Sequence, residues 1–250
     1  MIRSVIFAGW IYISMFLLAI VTLPFFLFSR WVALETVRLW MKNVRFSLRW
    51  ILGVETEIRG RENVPKGALL YASKHQTMYD AFFPFLILDD PAVIIKQELL
   101  WYPIFGWYAW RTDMIPIKRG GGAKTFELMY AEARKRTAKG HQVLIFPEGT
   151  RKLPGAPPAY KKGVHGLYEG LGVPCLPVAH NAGLVWPRRG IRRHKGKVIV
   201  ECLPVLPAGL EEETFMTMLE GQIEPACDRL LEEGLEIQGR TRADLEINKT

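Results

Sequence analysis

The chain has 250 residues, 49% of them hydrophobic, and a formal net charge of +8. That length builds a full core, and that composition excludes a disordered chain. The charge is uneven: residues 201–250 carry twelve acids and four Lys/Arg, leaving 29 Lys/Arg and 13 acids in the first 200, a basic body that suits a membrane surface, a phosphorylated substrate or a nucleic acid.

Residues 1–53 read as membrane-associated helices and residues 54–250 as one α/β domain. No charged residue occurs from position 4 to position 29, a run long enough to cross a bilayer core, which takes roughly 20 apolar residues. Pro24 is expected to bend or stop that helix. The run is too long for a secretory signal, and no small-residue cleavage site follows it. Next, Trp31, Trp40, Phe46 and Trp50 are mixed with Arg38, Lys42, Arg45 and Arg49, and Glu35 is the only acid up to Val54. A basic, Trp-rich amphipathic helix lies among lipid headgroups. Two geometries fit: a helical hairpin dipping into one leaflet, or a single span followed by an interfacial helix. If the first helix spans, the cations after it place the body in the cytoplasm, at the inner membrane.

Beyond Gly53, strands alternate with helices. Residues 54–58 read as an edge strand and 67–72 as a buried strand running into His75. Residues 81–88 read as a helix interrupted at Pro84, 92–95 as a strand, 99–110 as an irregular aromatic stretch and 114–117 as a short extended segment. Gly120, Gly121 and Gly122 open a helix to about residue 139, with Phe126, Met129 and Tyr130 on one side and Gly140 as its cap. Residues 143–146 form a strand ending at Pro147, 163–171 a helix, and 175–179 and 198–202 strands. An acidic amphipathic helix runs from 210 to about 235, before a loose tail. This alternation predicts an α/β fold with a mainly parallel central sheet flanked by helices.

The available chemistry is narrowed by what is missing. All five serines lie at or before Ser73 and no G-x-S-x-G occurs, so a serine-hydrolase elbow is excluded. Cys175, Cys202 and Cys227 are odd in number and widely spaced, which marks reduced packing residues rather than a zinc cluster or a nucleophile. The stretch from Gly120 to Thr125 fails as a phosphate loop, because Ala123 stands where glycine is required.

What remains is His75 with Asp80, five residues apart after a short apolar run. On one continuous helix they would lie about 140° apart and would not meet. The pair works only if His75 precedes a helix and Asp80 sits in its first turn. Asp80 then accepts from Nδ1 and leaves Nε2 free to take a proton from a hydroxyl. With no protein nucleophile at hand, that hydroxyl belongs to the substrate. The second stretch is Phe146-Pro147-Glu148-Gly149-Thr150-Arg151. A strand ends there and turns at Gly149, which is expected to leave Glu148, Thr150 and Arg151 exposed where α/β proteins place ligands. Arg151 suits bidentate phosphate binding and Glu148 a sugar or glycerol hydroxyl. Lys118 with Arg119, and Lys161 with Lys162, add two basic pairs.

The order H-x4-D, Pro-Ile-x-Arg, F-P-E-G-T-R and Val-Pro-x-x-Pro-Val resembles the glycerolipid acyltransferase family, and within it the bacterial 1-acyl-glycerol-3-phosphate acyltransferases. His75 and Asp80 match the first motif, Arg119 the second, Glu148, Gly149, Thr150 and Arg151 the third, and residues 173–179 the fourth. Lys96-Gln97-Glu98-Leu99, with Pro103 and Gly106, also looks like a family block. The likeness covers about residues 55–205. Lys74 departs from it, standing where many members have asparagine, and Lys118 stands where an acid often precedes the arginine.

The resemblance implies transfer of a fatty acyl group from an acyl thioester, acyl-CoA or acyl-acyl carrier protein, to the 2-hydroxyl of lysophosphatidate. His75 is then the general base and Asp80 its orienting partner. Arg119 and Arg151 hold the phosphate, and Glu148, Gly149 and Thr150 fix the glycerol end. The reading calls for no metal or redox cofactor and no nucleic acid; its partners are the two substrates and membrane lipids. The aromatic stretch 99–110 is a candidate acyl channel. Alternatives are another lyso-lipid acceptor (lyso-ornithine lipid, for example), glycerol-3-phosphate as acceptor, a non-enzymatic module for anionic lipids, or a nucleic-acid binder.

Overall fold

The computed structural model describes residues 1–26, 28–118 and 122–246. Hydrophobic patterning sets its layers. In β1 (Val54–Arg59) only Val54 is buried, whereas every residue of β2 (Leu69–Ser73) is. Leu69 and Tyr71 join one core cluster, and Leu70 and Ala72 join another. A strand whose alternate residues enter two cores lies in a sheet covered on both faces.

The sheet continues with β3 (Pro91–Lys96), β4 (Ile115–Ile117), β5 (Gln142–Ile145), β6 (Cys175–His180) and β7 (Gly196–Cys202). Its order is β1-β7-β6-β2-β5-β3-β4. Among the pairings of these strands, β6–β7 is the one that is antiparallel. The expected mainly parallel sheet is therefore present, with β1 at its edge. Strands β6, β2, β5, β3 and β4 all end on the same edge of the sheet.

The two faces are covered differently. The hairpin of α1 (Ile2–Phe26) and α2 (Arg30–Leu52) covers one face. Helix α2 buries Leu34, Trp40, Met41, Val44, Leu48 and Leu52, and α1 adds Phe7 and Ile11 to the same cluster. The short aromatic helix α3 (Phe105–Arg111) packs beside them, with Ala109 in that cluster. On the opposite face α4 (Gly122–Thr137), α5 (Gly163–Leu171) and α6 (Glu212–Gln238) contribute Met129, Ala133, Leu167, Tyr168, Phe215, Leu219 and Ile223. The three cysteines are buried and free, and burial pushes the Cys202 and Cys227 thiols up to about 12.

Polar contacts seat the hairpin on the body. Arg30 makes a two-pronged bond to Asp90 at 2.5 and 2.8 Å and a third bond to Asp113 at 3.0 Å. At the other end of α1 the Ser4 hydroxyl accepts from the Arg193 amide at 3.0 Å. Pro24 lies two residues before the end of α1. Among the described residues α1 is the one helix long and apolar enough to cross a membrane. Its outer face exposes Ile6, Ile13, Phe16, Ile20 and Val21, an apolar area too continuous for a water-facing surface.

Two stretches depart from the sequence reading. Residues 81–88 do not form a helix broken by proline; 3-10 turns at Tyr79–Ala81 and Phe83–Leu86 take their place. Pro84 has no N–H to continue a helix, and both Phe83 and Phe85 reach the core in these short turns. Residues 99–110 are more ordered than expected, with a 3-10 turn at Gln97–Trp101 leading to α3. Helix α4 begins at Gly122 and ends two residues before the expected end; Gly120 and Gly121 lie outside the described residues.

Gly106 lets α3 close on that turn, since a Cβ there would run into the main chain of Leu100. Main-chain atoms cannot yield as a flexible side chain does. Gly106→Ala is therefore expected to cost roughly 2 kcal/mol or more. Thermal unfolding in detergent measures it; an unchanged midpoint would show that the turn adjusts freely.

Candidate active site

Strand β2 delivers the chain to the shared C-terminal edge, where residues 74–80 fold back on themselves. The Asp80 carboxylate organises this loop. One oxygen accepts from the amides of Gln76 at 2.6 Å and Thr77 at 2.7 Å, and the other lies 2.8 Å from Nδ1 of His75. The Asp80 amide in turn donates to the Thr77 hydroxyl at 3.2 Å. Asp80 is fully buried, and a buried carboxylate of this kind is stable only when its oxygens are satisfied by donors. The spacing of five thus closes through a tight loop and a 3-10 turn, where the sequence pattern implied the first turn of a helix.

The His75 ring is held from below by Phe146, the two rings stacking at 4.0 Å and 14°. The main-chain oxygen of His75 accepts from the Lys152 amide at 2.7 Å. The loop carrying the histidine and the turn after β5 are thereby fastened together. Nδ1 faces Asp80, and no protein hydrogen bond is made by Nε2 among the described residues. The imidazole is 13% exposed, so that nitrogen remains open to a substrate.

The turn after β5 behaves less simply. Gly149 takes φ +65°, a left-handed conformation that favours glycine, and the Lys161 ammonium lies over its Cα. Thr150 is exposed and Arg151 half-buried. Glu148 corrects the sequence reading: it is 1% exposed rather than open to ligand. Glycine reverses the chain one residue later, so Glu148 points back under the sheet edge. Among the described residues no side chain donates a well-formed hydrogen bond to its carboxylate, and the ammonium of Lys74 stands 3.9 Å away. Burial pushes the Glu148 carboxyl above its ordinary value, and the charges of Lys74 and Lys152 with a main-chain hydrogen bond from Ala159 offset that only in part.

Other cations line the same edge because their strands run in parallel. Lys96 ends β3 and is exposed, and Lys118 follows β4 and is exposed. Lys161 closes on Gly149, whereas Lys162 is taken up by Glu212 at 2.8 Å. Arg119 lies outside the described residues.

His180 was not singled out in the sequence, although it is the next residue after the fourth motif. It is fully buried at the end of β6. Its Nε2 lies 2.9 Å from the Lys74 main-chain oxygen, and its Nδ1 accepts from the Ala182 amide at 3.3 Å. These partners set a neutral tautomer with the proton on Nε2, and burial lowers the pKa of the ring in the same sense. The signal available in sequence was position alone: a histidine at the C-terminal end of a strand that neighbours β2.

Two apolar cavities adjoin this edge. One of about 50 Å³ lies between Phe82, two residues after Asp80, and Met15, Leu18, Trp40 and Phe105. A groove of about 560 Å³ runs between Leu23 and Phe26 of α1 and Leu100, Trp101, Trp107 and Trp110.

A family model described as Acyltransferase matches residues 55–181. The 1-acyl-sn-glycerol-3-phosphate acyltransferase of Pseudomonas aeruginosa is 32% identical over 204 residues, which is 82% of this chain and 79% of that protein. The chain belongs to the acyltransferase family. The enzyme of the same name from Escherichia coli is 29% identical over 157 residues, covering 62% of this chain and 63% of that relative. The fold is shared with the crystal structure of the 1-acyl-sn-glycerophosphate acyltransferase of Thermotoga maritima. The TM-score is 0.74, with 22% identity, and the match covers 93% of this chain and 97% of that one. The family match takes in β1 through β6, and so every strand that supplies the site.

The buried Glu148, its carboxyl pushed up by burial, gives a pH-dependent test. A carboxyl whose folded pKa lies above its unfolded value favours the folded state in acid and loses that contribution as pH rises through the folded pKa. Glu148→Gln removes the ionised form and is expected to stabilise by about 1–3 kcal/mol at pH 8, with a smaller gain at pH 5. Unfolding midpoints at the two pH values decide it; a larger gain at pH 5 would reverse the assignment.

Proposed function

We propose that this protein transfers a fatty acyl group from an acyl thioester to the 2-hydroxyl of 1-acyl-glycerol-3-phosphate, forming phosphatidate. The observation that carries this reading is an accessible His75 Nε2, with Nδ1 committed to Asp80, on the edge where Arg151, Lys96 and Lys161 gather. The names of the relatives point to the same acceptor.

In this mechanism Nε2 takes the hydroxyl proton as the oxygen attacks the thioester carbonyl. The new C–O bond forms, the C–S bond breaks, and the imidazolium returns its proton to the departing thiolate. Asp80 stabilises the charged ring. General-base help of this kind is worth about 10²–10⁴-fold. Arg151, with Arg119, holds the acceptor phosphate, Lys96 and Lys161 reinforce that charge, and Thr150 meets the glycerol end. Glu148 contributes from beneath the turn rather than by touching glycerol. The donor is acyl-CoA or acyl-acyl carrier protein. Its chain enters the apolar groove between α1 and α3.

Residues 1–53 seat the enzyme at the inner membrane, with the sheet edge at headgroup level and the body in the cytoplasm. The exposed apolar face of α1 meets acyl chains, and the exposed Trp31, Phe46 and Trp50 of α2 meet headgroups,. A gathering of cations at the edge favours a phosphate-bearing acceptor over a lyso-lipid without one.

Thiol release from acyl-CoA in the presence of a panel of lyso-lipids tests the reaction. His75→Ala is expected to lower turnover at least 10³-fold with the fold intact, as for removal of an essential base; full turnover would leave a lipid-binding module as the better reading. Arg151→Ala is expected to raise the acceptor KM about 10-fold or more with a smaller change in kcat. An acceptor dependence that does not change would move the phosphate elsewhere.

For the membrane face, Ile13→Glu with Phe16→Glu places two charges on the outer side of α1. Flotation with phospholipid vesicles is expected to fall about 10-fold or more. Undiminished flotation would assign the seating to α2.

A further inference from the structure

Two features are left unused by the mechanism above: the lysine at position 74 and the acidic C-terminal helix. The structure joins them. Lys74 is 2% exposed, and its ammonium lies 2.9 and 2.7 Å from the two carboxylate oxygens of Glu224 in α6. The Tyr160 hydroxyl donates to the same carboxylate at 2.8 Å. A polar cavity of about 190 Å³ runs beneath this contact, between Lys74, Gln76 and His180 on one side and Glu224 and Asp228 on the other.

We propose that Glu224 is a positioning residue for acyl transfer, acting through Lys74 to hold the His75 loop in register with the turn after β5. The proposal rests on His75 being the base. Every other handle on the loop is already occupied. The Lys74 main-chain oxygen is held by His180, the His75 oxygen by the Lys152 amide, and the Gln76 side chain accepts from the Gly183 amide at 2.9 Å. The Lys74 ammonium is the handle whose partner is open to choice, because two acids face it.

Those acids are unequal. Glu224 is in contact at 2.7 Å, while Glu148 stands 3.9 Å away. A buried ammonium does not stay unpaired. Without the charge of Glu224, Lys74 closes on Glu148. Glu148 follows two residues after Phe146, the ring on which His75 stacks. Movement there shifts the platform of the base relative to the substrate, and a displacement near 1 Å is enough to cost about 10²-fold in rate. Position 74 thus serves the geometry of the base rather than the acceptor.

Glu224→Gln keeps the size of the side chain and a hydrogen-bonding oxygen for Tyr160. It is expected to lower kcat about 10- to 100-fold, with KM for acceptor and thioester held within about threefold. Lys74→Met is expected to give the same split. The double variant is expected to lose no more than the worse single one, since both remove the same contact. Glu224→Asp is expected to recover part of the loss. Near-ultraviolet circular dichroism and unfolding midpoints establish that each variant is folded. If Lys74→Met fails to fold, Glu224→Gln, whose side chain is one-fifth exposed, carries the test. A folded Glu224→Gln with kcat within about twofold of the parent overturns the proposal, as does a double variant whose losses multiply. His75→Ala assayed beside them separates the cases: inactive His75→Ala with fully active Glu224→Gln sinks the positioning role and leaves the base intact.

Discussion

The fold around the site depends on one buried carboxylate. Asp80 sits in the 3-10 turn that closes the loop after β2, with no exposure to water, and accepts from three N–H groups. A buried charge is tolerable only with such donors, so residues 75–77 must curl around it. That curl decides how the histidine is presented. Nδ1 is consumed by the carboxylate, the ring lies flat on Phe146, and Nε2 is left facing outward. A regular helix from residue 75 would have kept its own amides and turned the two side chains apart. The short 3-10 turns after Asp80 follow from this arrangement as much as from Pro84.

The sheet then gathers charge around the loop without any long-range design. Five neighbouring strands run the same way, so whatever follows each strand arrives at one edge. His180, His75, the Glu148–Arg151 turn, Lys96 and Lys118 come from five separate places in sequence and become neighbours along that edge. The antiparallel β7 and β1 bring no loop of this kind. Instead they start near this edge and run away from it, and the connection that enters β7 carries Trp186, which stacks at 12° on Tyr79, the residue before Asp80.

Much of this was legible in the sequence because the signals are local. The strands show as apolar runs, α5 falls at residues 163–171 as its pattern predicts, and the histidine and acid stand in a spacing that only a loop can close. The errors come from interactions that sequence spacing does not record. Glu148 reads as a surface acid after a strand, and only the left-handed turn at Gly149 sends it inward. Residues 81–88 read as helical by length and apolarity, yet the core claims Phe83 and Phe85 singly. Lys74 reads as extra surface charge because its partner is 150 residues away. His180 is silent for the same reason: both groups it bonds are main-chain atoms, and these have no residue identity to recognise.

The N-terminal hairpin does more for this fold than present an apolar surface. Helix α2 is amphipathic, but its apolar side faces the sheet, where Met41 and Leu48 are fully buried. Its partner α1 carries the reverse pattern, with a few buried residues toward the body and an apolar exterior. One of those buried residues, Phe7, meets Trp186 edge-on at 5.4 Å, and Trp186 stacks on Tyr79, the residue before Asp80. The guanidinium of Arg193 covers the same indole at 4.5 Å. A continuous line of packed rings therefore runs from the apolar helix to the residue next to the buried Asp80 carboxylate. Dense packing transmits small displacements, so a shift of α1 relative to the sheet reaches the loop that aims His75. The layer that carries the exposed apolar face and the layer that completes the core are the same hairpin, and neither can be changed without disturbing the other.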